Sequence, residues 1–196
     1  MLELHSKLPN QGVTIFSIMS QLAQQLGALN LSQGFPDFAP PQALLESLSH
    51  ATLHGSNQYA PGDGLASLRQ QVAELFLSRD HIQLDSITEI SITPGATIGI
   101  FSTIQALVNA GDEVIVFDPS YDSYAPSIEL VGAKAVRITL QQPDFSVPWQ
   151  QVKDSINSKT RMIIVNTPHN PSGSMWSKQD WLNLIELIQA SNIVVL

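Results

Sequence analysis

The sequence predicts an α/β fold, a mostly parallel sheet with helices on both faces, and three observations predict it. From residue 89 onward, short apolar runs alternate with amphipathic stretches of ten or more residues, the order of βαβ units with right-handed crossovers. The run "DEVIVF" is continuously apolar, as in a strand covered on both faces. Hydrophobic residues make up 43% of the 196, and charged residues only 13%, which supports a large core and excludes disorder. The length fits one domain or a little more.

The elements follow in order. "TIFSIMSQLAQQLGA" sets Ile15, Ile18, Met19, Leu22 and Leu26 on one helical stripe that Gly27 ends. "LNLSQGFPDFAPP" is irregular, heavy in Gly and Pro. "PQALLESLSHATLHG" opens a helix at Pro41 and stops at Gly55. "NQYAPGDG" is a loop, and "LASLRQQVAELFLSRD" another helix. "EISIT" alternates as a strand does, and "PGAT" interrupts it. "TIGIFSTIQALVNAG" is a helix with its stripe at Ile100, Phe101, Ile104, Leu107 and Val108, and Gly111 stands where a left-handed cap belongs. "DPSYDSYAPSIELVGA" reads as loop and helix, "KAVRITL" as strand, "FSVPWQQVKDSIN" as loop and helix, and "TRMIIVN" as strand. "SKQDWLNLIELIQAS" is an amphipathic helix capped by Ser177. "NIVVL" begins one more strand, and a sequence that stops inside a strand is expected to be truncated.

Composition narrows the function. A net charge of −8 offers no electrostatic footprint for nucleic acid or an anionic membrane. There is no cysteine, which removes disulfides, thiolate metal sites and a thiol nucleophile, and fits a cytoplasmic setting. The N-terminus lacks the pattern of a signal peptide, and no apolar run approaches the ~20 residues that span a bilayer. No metal site is expected.

Ligands of open α/β sheets bind at the carboxyl ends of the strands, and four loops carry the chemistry. In "TPGAT", Gly95 and Ala96 have almost no side chain, so their N–H groups can approach an anion at a helix N-terminus, and Thr97 adds a hydroxyl. The same residues would suit a tight turn. In "DPSYDSY", Tyr121 and Tyr124 can lie flat on a heterocycle or simply wall the core. In "NTPHNPSG", Pro168 and Pro171 stiffen the presentation of Asn170, whose amide both donates and accepts, while Asn166 reads as the turn-former. In "LSQGFPDF", Gly34 bares a backbone N–H, and Phe35 and Phe38 offer apolar walls. Taken together, the loops describe a phosphate, a flat ring and a polar substituent. Pyridoxal 5'-phosphate comes first and flavin mononucleotide second.

These motifs carry a resemblance. "LSQGFPDF", "NQYAPGDGLASLR", "TPGAT", "GDEVIVFDPSYDSYAP" and "NTPHNPSG" resemble, in order and spacing, fold-type I pyridoxal-phosphate aminotransferases of class I, in the methionine and kynurenine/glutamine branch. The resemblance implies a homodimer acting on an amino acid and a 2-oxo acid. It implies that Gly95, Ala96 and Thr97 hold the phosphate, that Tyr121 stacks on the pyridine ring, and that Asn170 bonds its phenolic oxygen and lies near the substrate carboxylate. It implies that Gly34 meets that carboxylate, that Phe16, Phe35 and Tyr59 line the substrate pocket, and that Tyr59 reaches a neighbour's cofactor. By the same resemblance residues 1–40 form an arm and substrate-pocket segment, and 41–196 an incomplete cofactor-binding large domain.

The family's Schiff-base lysine, ring-nitrogen aspartate and carboxylate-binding arginine match no position here. The lysines Lys7, Lys134, Lys153, Lys159 and Lys178 stand on none of the four loops. The resemblance therefore implies a truncated aminotransferase that is inactive by itself, acting in full on methionine, aromatic amino acids or glutamine. A carbon–sulfur β-lyase on the same fold and a non-catalytic remnant are the alternatives.

Overall fold

The structure, a computed structural model, describes residues 5–9, 12–34 and 36–196. It divides into two compact units, one of Gln11–Thr93 and one centred on Pro94–Leu196. The division expected after residue 40 falls within the first of these.

The first unit is helical. α1 (Ile15–Leu26) starts at Thr14, whose hydroxyl accepts from the Ser17 N–H, and ends at Gly27 in the left-handed conformation. α2 (Gln42–Leu53) begins after Pro41, and α3 (Ala66–Asp80) follows the "NQYAPGDG" loop. That loop is anchored from within the unit. Arg69 of α3 is buried, pairs with Asp63 at 2.8 Å, and donates to the Ser86 and Ile87 carbonyls at 3.2 Å each. The Ile92 N–H donates to the Asp63 carbonyl at 3.0 Å. Only glycine fits at position 64, since a Cβ there would lie 2.6 Å from the Ile92 side chain.

The segment "EISIT" is not a strand. It has no ladder partner among the described residues, and its Ile92 N–H is taken by the loop. Alternation specifies a surface, but a strand also needs a neighbour.

The second unit is a four-stranded parallel sheet in the order β2-β1-β3-β4. Its elements are α4 (Ala96–Leu107), β1 (Glu113–Asp118), α5 (Tyr124–Leu130), β2 (Lys134–Thr139), α6 (Trp149–Ser155), β3 (Thr160–Ile163), α7 (Lys178–Ile188) and β4 (Val194–Val195). The period of two in β1 sorts its side chains. Val114 and Val116 pack with Met162 against Ile104 of α4 and Ile128 of α5. Ile115 and Phe117 pack with Ile163 against Val152 of α6 and Leu184 of α7. Both faces are covered, as the continuous apolar run requires. Ser177 caps α7 in a reciprocal capping box with Asp180.

Gly111 is not the cap of α4. The helix ends at Leu107, and buried Val108 leaves it extended. Gly111 sits in the turn before β1, and its N–H donates to the Gly132 carbonyl at 2.9 Å. A β-branched residue held in the core pulls the chain out of the helix earlier than the glycine would.

Candidate functional site

At the carboxyl edge of the sheet, within the second unit, lies an open cavity of about 490 Å³. Its position follows from the topology. β1 and β3 are neighbours, and the loops that leave them, together with the start of α4, surround the space beyond their ends. Ala96 and Ile100, one turn apart on α4, form one wall. Tyr121 and Tyr124 form a second, their rings edge-to-face at 5.7 Å. Ile164 and Val165 floor it where β3 ends, Leu196 lies beside them, and Asn166 and Asn170 supply amides.

Gly95 precedes α4 at φ 90°, ψ 161°, a conformation open to glycine, and turns the chain so that the first turn of the 12-residue helix heads the cavity wall. Thr97 stands beside that wall and is joined to it, with Thr97 Oγ1 3.2 Å from Tyr121 Oη. The helix start and the aromatic ring are thereby tied to each other. Tyr124 is largely buried, and burial pushes its phenol above the ordinary range, with Tyr121 adding to the effect.

The Asn166–Ser174 turn is held by its own hydrogen bonds. Asn166 Oδ1 accepts from the Asn170 N–H at 2.8 Å, and Asn166 Nδ2 donates to the Pro168 carbonyl at 3.2 Å. Asn166 is thus the turn-former the sequence indicates, and it also faces the cavity. Asn170 uses its backbone in the turn and lines the cavity, and its side-chain amide has no hydrogen-bond partner among the described residues. His169 is buried behind the turn.

Five of the sequence candidates, Gly95, Ala96, Thr97, Tyr121 and Asn170, therefore converge on one place. Phe16, Gly34 and Tyr59 belong to the other unit. Phe16 is on α1, Gly34 has open space on its Cα, and Tyr59 is fully exposed. Phe35 lies outside the described residues. Sequence reasoning missed Ile100, Ile164, Val165 and Leu196. Ile164 and Val165 close the apolar run before Asn166, and Ile100 lies one helical turn after Ala96, so both positions carried a signal. Leu196 did not, because its place depends on β4 lying beside β3.

The donor set suits a flat ring bearing an anion. There is an aromatic face, an unpartnered amide, and a helix N-terminus opened by glycine. None of the nine side chains lining the cavity is charged, and none is a lysine.

In a parallel α/β unit the carboxyl edge of the sheet, where this cavity lies, is the ordinary place for a ligand. The chain belongs to the aminotransferase class I and II family, whose model matches residues 27–196. It is similar to a methionine aminotransferase of Escherichia coli, 48% identical over 191 residues, covering 97% of this chain and 50% of that protein. It is similar also to human kynurenine–oxoglutarate transaminase 3, 40% identical over 82% of this chain and 38% of the relative. Among solved structures, that of YbdL from Escherichia coli, reported to have a methionine aminotransferase function, superimposes with a TM-score of 0.95 at 48% identity. It covers all of this chain and 51% of the other. The chain spans about half the length of the relatives it matches. The branch named by the motifs is the one to which these relatives belong.

Proposed function

We propose that this chain is the cofactor-cradling portion of a pyridoxal-phosphate-dependent aminotransferase. The reaction moves an amino group from methionine, an aromatic amino acid or glutamine to a 2-oxo acid. The observation that carries the reading is the convergence of Ala96, Tyr121 and the unpartnered Asn170 amide on one cavity at the sheet's carboxyl edge.

Each residue has a part that follows from its chemistry. The N–H groups of the first turn of α4, with the Thr97 hydroxyl, receive the phosphate at the positive end of the helix. Tyr121 would cover one face of the ring, and its hydroxyl lies 3.2 Å from that of Thr97, which holds it beside the start of α4. Asn170 donates to the phenolic oxygen. Ile100, Ile164 and Val165 exclude water from the ring's edge. Bound pyridoxal phosphate would supply an electron sink for the substrate's α-carbon.

Gly34, Phe16 and Phe35 are assigned to the substrate, and Tyr59 to the partner of a homodimer, in a cytoplasmic enzyme. The cavity offers no lysine to make a covalent bond or move a proton, so the 196-residue chain alone holds the cofactor non-covalently and does not turn over.

Equilibrium dialysis against pyridoxal 5'-phosphate, pyridoxal and flavin mononucleotide tests the reading. Saturable uptake is expected, in that order of preference except that pyridoxal, lacking the phosphate, binds least. Absence of saturable uptake, or preference for the flavin, contradicts it.

A further inference from the structure

Asn170 is presented by a turn that is closed at three levels. At the tip, the Gly173 N–H donates to the His169 carbonyl at 2.7 Å. One level down, the His169 N–H donates to the Ser174 carbonyl at 2.8 Å. At the base, the Trp176 N–H donates to Thr167 Oγ1 at 3.0 Å. The two upper closures join backbone to backbone. The lowest depends on a side-chain hydroxyl, which a valine of the same shape would not supply.

The residue that closes the base also anchors it. Burial alternates along the returning chain, with Ser172, Ser174 and Trp176 half-buried and Gly173, Met175 and Ser177 exposed. The Trp176 ring packs against the core cluster that holds Ile115, Phe117, Val152 and Leu184. It lies edge-to-face with Phe117 of β1 at 5.8 Å, with Trp149 of α6 at 5.4 Å and with Trp181 of α7 at 5.0 Å between centroids. All three tryptophans of the chain meet here. Trp149 is itself fixed, its Nε1 donating to Asp180 Oδ1 at 2.9 Å, and Asp180 shares the α7 capping box with Ser177, the next residue after Trp176. Phe117 is the last residue but one of β1, and Tyr121 follows four residues later. Trp176 thus has its main chain on the turn that carries Asn170 and its ring on the strand that leads to Tyr121.

We propose that Trp176 is a positioning residue for the pocket: its N–H closes the base of the Asn170 turn on the Thr167 hydroxyl, and its ring seats that base on β1, α6 and α7. The two polar and aromatic walls of the cavity are thereby held in one register. The inference rests on the pyridoxal-phosphate reading for what the register serves, while the closure itself is measurable without any cofactor.

The test uses the 196-residue chain labelled with nitrogen-15. Thr167→Val removes the acceptor and leaves the aromatic cluster intact, and Thr167→Ser restores the hydroxyl. Amide exchange at His169, Gly173 and Trp176 is expected to be about five- to tenfold faster in the Val variant, the loss of one hydrogen bond, and within about twofold of wild type in the Ser variant. The Ile164 N–H, which donates to the Ile115 carbonyl at 3.0 Å, reports the sheet and is expected to keep its rate. Trp176→Leu, which loses the ring contacts, is expected to speed the same turn amides, and Trp176→Phe to stay near wild type. Unchanged exchange at the turn in Thr167→Val, or an equal acceleration at Ile164, overturns the closure. Dialysis with pyridoxal 5'-phosphate then tests the positioning role through a double-mutant cycle. Thr167→Val is expected to weaken uptake about fivefold in the wild-type background, and by less than about twofold when Asn170→Ala is already present, because it acts through that amide. Equal losses in both backgrounds overturn the positioning role and leave the cofactor reading standing. If the wild-type chain takes up none while the exchange results hold, the cofactor reading fails and the closure of the turn stands.

Discussion

The apolar side chains of α1 and those of β1 have opposite fates. Ile15, Ile18, Leu22 and Leu26 stand 62%, 47%, 43% and 71% exposed, whereas Val114, Ile115 and Val116 are fully sealed. Neither α1 nor α2 buries a single residue, while helices pack on both faces of the sheet. An amphipathic stripe specifies a helix without specifying its cover. The sheet unit carries strands and covers together within 94–196, so its pocket geometry is set by its own residues. The candidates of the helical unit, Phe16, Gly34 and Tyr59, are presented on a scaffold whose apolar face is left open.

The contrast can be broken most decisively in the core. Ile115→Ala removes a sealed side chain touching two helices and the neighbouring strand, and is expected to cost about 2–5 kcal/mol in chemical denaturation. Leu22→Ala, on the open face of α1, is expected to stay within about 0.5 kcal/mol. Equal losses would mean that α1 is covered in solution and the comparison wrong.

Asn170→Ala sharpens the functional side. Its side chain holds nothing in the fold, so the melting temperature should be unchanged while pyridoxal 5'-phosphate affinity in dialysis falls about tenfold, the worth of one hydrogen bond. A drop in stability instead would make Asn170 structural.

At the α7 cap, Ser177→Ala is expected to cost about 1 kcal/mol. Asp180 adds a pH signature. Burial alone would raise its carboxyl, but hydrogen bonds from Ser177 and from Trp149 Nε1 at 2.9 Å bring it below the ordinary range. A depressed acid stabilises above its unfolded value, so this contribution is present above about pH 4 and is lost as pH falls through the lower folded value. His169 gives a second and smaller decline. Burial lowers its titration in the fold, so the unfolded chain binds more protons below about pH 6.5 and stability falls from there downward. Denaturation midpoints at pH 7.5 and 5.5 should show this decline in wild type and not in His169→Asn. At the smallest end, Arg79→Ala, whose pair with Asp80 lies in open solvent, is expected to leave the melting temperature unmoved.

Much of the sheet unit was legible in the sequence for a physical reason. "DEVIVF" is apolar on both faces because both are covered, and Ser177 with Asp180 three residues on is a cap written in local chemistry. "EISIT" misled because a strand is decided by its partner, and Gly111 misled because Val108 leaves the helix first to reach the core. In the site, Ala96, Tyr121 and Asn170 announced themselves through turn chemistry and functional groups. Leu196 did not, because its place depends on which strand lies beside β3.

The central claim is that residues of the sheet unit alone form the seat for a phosphorylated ring. Backbone amide shifts of the labelled chain, followed during titration with pyridoxal 5'-phosphate, test it most directly. The largest changes should fall on Ala96, Thr97, Tyr121 and Asn170 and saturate together. Changes confined to the neighbourhoods of Lys7, Lys134, Lys153, Lys159 and Lys178, with those four positions unmoved, would contradict it.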